Sequence, residues 1–266
     1  MFENVISVCY HSGTCGHAIG IVIQLSPEVY RRGDVVYQSI LPSGEIYDYG
    51  LRCGRADYSN LDFDINRCFE HFGGWYMQGR DIPQTHIDHY QSVLPSLWLR
   101  PRRVRFLDAI KQDPFLIADH TLAKHQQQLL PGCKTIAVYG NEYLALRYYA
   151  DKKYIPPDVD DPLGRPGIES FTSHKAATHT RSQRYRESME YFLHNSRRVN
   201  WEHQNDTKSF RLDYEELLFS ERSKDVYHDM IKWLGLTPNW PAASAFIEEY
   251  QSKQLNRLTR QELLRL

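Results

Sequence analysis

The stretch Asn4 to Leu25, NVISVCYHSGTCGHAIGIVIQL, constrains this chain more than any other. Val5 to Cys9 is a short, β-branched, apolar run, the pattern of a strand buried on both faces. His11-Ser12-Gly13-Thr14-Cys15-Gly16 follows, a small-residue turn in which backbone can approach a ligand closely. From His17 to Leu25 the apolar residues resume without a turn signal, long enough for a helix. Strand, glycine-bearing loop and helix aim free N–H groups and a positive dipole end at an anion. The same layout also serves as an ordinary strand-to-helix turn, so spacing alone leaves both readings open.

The loop is not a Walker A motif, which needs Gly, four residues, then Gly-Lys-Ser/Thr. Gly13 and Gly20 are followed by Thr14 and Ile21, and no lysine lies near. A standard ATPase or GTPase is thereby disfavoured.

Length and composition set the outer bounds. A chain of 266 residues is long enough for one large α/β domain. A hydrophobic content of 41% supports a core, and a net charge of −1 gives no reason to expect nucleic-acid binding. The 18 tyrosines can line a cleft as well as fill a core. Five scattered cysteines, with no C-x-x-C pair and no signal-like segment, point to a reducing, cytoplasmic setting. The amino-terminal apolar run is interrupted too early to span a membrane. Cys15 alone among the thiols is placed where a helix N-terminus can lower its pKa.

Along the chain, Val35–Ile40 and Glu45–Tyr49 flank Pro42-Ser43-Gly44 and suggest a hairpin, with a loop as the other reading of the second run. Residues 26–112 as a whole suit a substrate-binding cap. His86 and His89 share one face of a helix but lack further metal-ligand partners at suitable spacing. The basic run Arg100–Arg105 can attract an anion or simply face solvent. Phe115 to His120 predicts a parallel strand with His120 at its end, where ligand chemistry collects in open α/β sheets; the residue can take a proton or cap the junction. Lys134–Tyr139 predicts the next strand, after the turn Pro131-Gly132, and Glu142–Lys152 a helix. Residues 156–167 form a Pro- and Asp-rich loop, and 174–186 are basic. Arg184–Val199 predicts a helix, Phe210–Leu212 a strand, and Lys224–Leu234 a helix ended by Gly235 and Pro238. Ala242–Leu266 predicts two amphipathic helical pieces.

Strands alternating with helices imply a mainly parallel sheet in an α/β sandwich. The order of features resembles that of the sulfotransferase family. Ser12-Gly13-Thr14 match the family's phosphosulfate loop, with Tyr10, His11 and Cys15 replacing its proline, basic residue and second threonine. Leu116–His120 resembles the strand ending in Lys-x-His, and Leu129-Leu130-Pro131 through Val138 resembles the segment before the 3′-phosphate site. Leu212-Asp213-Tyr214-Glu215-Glu216-Leu217-Leu218 with Ile231-Lys232-Trp233-Leu234-Gly235-Leu236 is similar to the Tyr-Glu-Asp-Leu-Leu and Phe-Leu-Gly-Leu pair. These matches cover about half the chain. Departures are the loop histidine His11, Ala118 for the lysine, Gly140 for an arginine, Arg147 for a serine, and no late Arg-Lys-Gly loop.

The resemblance implies a single domain over 1–266, a three-layer α/β sandwich of the P-loop NTPase-like sulfotransferase class. It implies transfer of a sulfuryl group from 3′-phosphoadenosine 5′-phosphosulfate to a hydroxyl or amine of a small-molecule or glycan acceptor, without metal. His11, Ser12, Gly13, Thr14, Cys15, Gly16 and Arg147 would hold the donor. His120 would be the base, and His11, if protonated, would assist the leaving phosphate. The alternative is a catalytically silent nucleotide-binding protein that kept the fold.

Overall fold

The computed structural model describes residues 2–11, 14–29, 39–40, 46–47, 82–93, 98–99, 104–112, 114–119, 121–141 and 194–263. Its centre is a four-stranded, all-parallel sheet of β1 (Val5–Cys9), β6 (Phe115–Asp119), β7 (Lys134–Tyr139) and β8 (Phe210–Asp213), in the order β6-β1-β7-β8. The register aligns the carboxyl ends. Cys9 lies opposite both Asp119 and Ala137, and Tyr139 lies opposite Asp213. Two short antiparallel pairs stand apart from it: β2 (Ser39–Ile40) with β3 (Ile46–Tyr47), and β4 (Trp98–Leu99) with β5 (Val104–Arg105). The first lies within the expected hairpin.

Helices cover both faces of the sheet. α1 (Gly16–Gln24), α6 (Tyr214–Phe219), α7 (Ser223–Leu234) and α8 (Trp240–Leu263) share one core with Ile6, Val8, Leu116, Ala118, Ile136, Val138 and Leu212. Ile19, Val22 and Ile23 of α1 are fully buried there, each worth roughly 1.5–3 kcal/mol of apolar transfer. On the other face, Cys9 and Ala137 pack on Ala123 of α4 (Ala123–Leu129), and Leu122 packs on Val199 of α5 (194–204). Two further helices, α2 (Gln84–Val93) and α3 (Phe106–Gln112), precede β6. Strands enclosed on both sides need no polar face, which is why β1 and β7 read as continuous apolar runs.

Capping explains several element ends. Asp213 accepts the Glu215 N–H at 2.9 Å and starts α6 directly from β8. Gly235, at φ 71°, closes α7 with the Leu236 N–H bonded back to Ile231 O, a left-handed C-terminal turn that favours glycine. Lys134 donates to Leu234 O and brings a cation to the same helix end. The two pieces expected after Ala242 are instead one helix, α8. Pro241 falls in its first turn, where a missing N–H costs nothing. Among the described residues no helix is long and apolar enough to cross a membrane.

Candidate functional site

The sheet's strand order places the crevice. β1 lies between β6 and β7, and the chain proceeds from β7 to β8 on the far side, so the outgoing connections of β1 and β7 diverge. In such sheets ligands bind at the carboxyl ends where the connections part. The loop that leaves β1 is the one singled out by sequence.

Its described residues are tightly built. His11 is buried, and its carbonyl accepts both the Thr14 N–H at 3.1 Å and the Thr14 hydroxyl at 2.6 Å. The single hydroxyl proton of Thr14 therefore closes the turn, leaving its oxygen only acceptor capacity toward a ligand. Cys15 adopts the left-handed region, φ 56° and ψ 22°, and its own side chain makes no capping hydrogen bond to α1. The Ile19 N–H bonded to Cys15 O starts the helix, and the N–H groups ahead of it have no partner within the helix itself. Tyr250 of α8 donates its hydroxyl to Cys15 Sγ at 3.1 Å, tying the loop to the carboxyl-terminal helix. Ser12 and Gly13 lie outside the described residues, as do His120, which follows the last residue of β6, and Arg147.

Two glycines at this edge answer to aromatic rings. A Cβ on Gly16 would stand 2.1 Å from the Tyr10 ring, and one on Gly140 would stand 2.3 Å from the Tyr214 ring. Tyr214 is buried and donates to Asn141 O at 3.0 Å. Burial pushes its phenol well above the usual range, with the Cys15 thiol and the Glu215 and Asp213 carboxylates acting the same way. The space beside Gly140 belongs to this ring. Ala118 is likewise enclosed in the apolar core beside α1. A lysine there would have to bury its charge or repack that core.

The β8 side of the edge is acidic. Burial raises the Asp213 and Glu215 carboxyls, and each is raised further by a carboxylate neighbour: Glu216 beside Asp213, and Asp213 beside Glu215. Burial raises the Tyr139 phenol too, again reinforced by Asp213 and Glu216. An anion is thus disfavoured over β8 and better placed over β1, two strand spacings or about 10 Å away.

On the opposite face, α5 is pinned to β7. The buried His203 ring bonds Val138 O at 2.7 Å through Nδ1, and its Nε2 accepts the Ala123 N–H at 3.2 Å. Burial lowers its pKa to about 4 despite the Val138 carbonyl and the Asp206 and Glu202 carboxylates. Asn200 donates Nδ2–H to Gly140 O at 2.7 Å. Sequence reading missed both residues, because nothing local marks a helical His or Asn as buried. A groove between α4 and α5, lined by Lys124, Gln127, Trp201 and Asp206 among others, holds none of the residues singled out by sequence. No group of three or more His, Cys, Asp or Glu side chains placed to hold a metal occurs among the described residues.

Compared with protein-family models, with curated proteins and with solved structures, the chain matches none.

Proposed function

We propose that this protein is a sulfotransferase with a P-loop-like fold, moving a sulfuryl group from 3′-phosphoadenosine 5′-phosphosulfate to a hydroxyl or amine of a small-molecule or glycan acceptor. The observation that carries the reading is the loop after β1. It leaves a central strand of the parallel sheet at the crevice and opens a helix that the side chain of its first flanking residue, Cys15, does not cap. A left-handed residue in such a turn is half of the backbone pattern that curls successive N–H groups around an anion. The sequence resemblance adds Ser12-Gly13-Thr14 in that loop and the Tyr214–Leu218 and Ile231–Leu236 segments behind it.

In the proposed reaction the acceptor oxygen or nitrogen bonds to sulfur as the sulfur–phosphate oxygen bond breaks. His120 takes the acceptor's proton, and adenosine 3′,5′-bisphosphate leaves. Loop N–H groups steady the developing charge. The test is a thermal shift with adenosine 3′,5′-bisphosphate. A ligand that binds only the folded chain stabilises it by about 2.7 kcal/mol at one hundred times its dissociation constant. Gly13→Val should abolish the shift by blocking backbone approach. No shift at millimolar nucleotide, in protein shown to be folded, would overturn the donor assignment.

A second reading is favoured by one observation: positions 118 and 140 are packed against apolar and aromatic groups and hold no cation. On that reading the chain binds nucleotide without turnover. Measurable sulfuryl transfer to any acceptor excludes it.

A further inference from the structure

The loop and β1 account for an anion, but the groove between α4 and α5 has no part in that reading. It is lined at one end by Leu122 and Ala123, just past β6, and at the other by Asp206 and Lys208, ahead of β8. Its free volume is about 320 Å³, inside the roughly 300–1,000 Å³ range of small-ligand sites. Leu122 is two residues past His120. Two residues of chain span at most about 7 Å, so one end of the groove begins close to the proposed base. Gln127, one turn along α4 from Ala123, donates to Thr135 Oγ1 at 2.7 Å and to Ser209 Oγ at 2.9 Å and closes the far end.

Trp201 lines the groove from α5. It is 64% exposed, against 40% and 39% for Phe219 and Trp233, the other large apolar side chains exposed among the described residues. A single exposed apolar residue needs no account by itself. This one sits in a groove, on a stretch of helix fixed on both sides. Asn200 bonds Gly140 O, His203 is buried against β7 and α4, and the Trp201 carbonyl accepts the Asn205 side-chain N–H at 2.7 Å. A ligand that covers the indole therefore has little backbone to order.

The polar groups beside it narrow the ligand's chemistry. Lys124 pairs with Glu202 at 3.1 Å, and Asp206 accepts from the Lys208 backbone N–H and the Ser209 hydroxyl. Two lysines and two carboxylates leave the lining without net charge, so a phosphate or sulfate gains no net attraction there. A wholly apolar ligand would strip water from these charged groups and return no hydrogen bonds. A sugar ring avoids both costs. Its C–H face covers an indole, and its hydroxyls each donate and accept, so one vicinal diol satisfies Lys124 and Glu202 together.

We propose that the groove between α4 and α5 holds an uncharged sugar ring of a glycan acceptor, stacked on Trp201 and hydrogen-bonded to the Lys124–Glu202 pair, while a neighbouring ring carries the reacting hydroxyl toward His120. The inference rests on the sulfotransferase reading above. It narrows the acceptor from a small molecule or glycan to a glycan of two or more rings.

The test applies the full chain, parent and Trp201→Ala, to an array of immobilised oligosaccharides, uncharged and sulfated, and records the melting shift of each protein with adenosine 3′,5′-bisphosphate. The parent should bind one or more uncharged oligosaccharides. Trp201→Ala should bind them at least tenfold more weakly, because a tryptophan at the centre of a contact commonly dominates it. The variant's ligand-free melting temperature and its bisphosphate shift should match the parent's, since the indole is mostly exposed and makes no donor contact. A parent that binds no oligosaccharide on the array overturns the inference. Equal binding by Trp201→Ala, or a preference for the sulfated oligosaccharides over the uncharged ones, also overturns it and leaves the sulfotransferase reading standing. Trp201-dependent sugar binding in a parent that shows no bisphosphate shift refutes the sulfotransferase reading itself, and the acceptor role of the groove falls with it.

Discussion

Lowering the pH from 7 to 4 should cost this protein about 3 kcal/mol of folding stability through His203 alone. The ring is buried between α5, α4 and β7, with Nδ1–H donating to Val138 O and Nε2 accepting from Ala123 N–H. That arrangement suits the neutral ring; a proton on Nε2 would point at another donor. Its pKa falls from 6.5 to about 4, mainly through burial. Above pH 6.5 the ring is neutral whether the chain is folded or not, so its contribution is fully present. Between 6.5 and about 4 the unfolded chain takes up a proton that the folded chain refuses, and stability falls with pH. The gap between the two values, at about 1.4 kcal/mol per pH unit, is worth about 3.5 kcal/mol in full, of which about 3 kcal/mol is lost by pH 4, where the folded ring is half protonated. Urea unfolding at pH 7, 5.5 and 4 should be compared between the parent and His203→Asn, which can still donate to Val138 O but carries no titrating group. The variant should be less stable at pH 7, and its loss toward pH 4 should be smaller by about 3 kcal/mol. Parallel stability curves for the two proteins would show that His203 is not held neutral, and the reasoning would fail.

Gly140→Ala should destabilise the fold by roughly 1–3 kcal/mol, because the new methyl meets the Tyr214 ring, and Gly16→Ala should do likewise against Tyr10. Urea midpoints measure both, and the Gly140→Ala cost should shrink in a Tyr214→Leu background. Asp213→Ala should cost about 1 kcal/mol by removing the cap of α6, with Asp213→Asn retaining most of it; chemical denaturation at pH 7 decides. His120→Ala should lower sulfuryl transfer by on the order of 100- to 10,000-fold while leaving nucleotide affinity unchanged, read by turnover and titration on the same preparations. Unchanged turnover would return His120 to the end of its strand as a structural residue.

Much of the fold was legible in local pattern. Val5–Cys9 and Lys134–Tyr139 announce buried parallel strands because both faces are covered and no polar alternation is needed. Gly235 and Pro238 announce the end of α7 because a left-handed turn and a missing N–H are properties of single residues. Where pattern misled, longer-range packing decided. The uneven apolar spacing after Ala242 suggests two pieces, yet Asn239 and Trp240 lock the start of a single helix onto α1 and α7, through Leu25 O, the Tyr227 hydroxyl and the Tyr227 ring. α5 runs on past Val199 to residue 204 because polar His203 finds its partners inside the protein.

At the candidate site the division is sharper. Sequence alone determined that a small-residue loop leaves an apolar strand and enters a helix, since those are local propensities. Only the tertiary structure decided what the loop stands beside. The order β6-β1-β7-β8 puts it at the crevice, Tyr214 takes the space beside Gly140, and α5 brings Asn200 onto the Gly140 carbonyl. None of these follows from any one segment, because a glycine's need for space and a polar atom's loss of water are set by groups that reach it from distant parts of the chain.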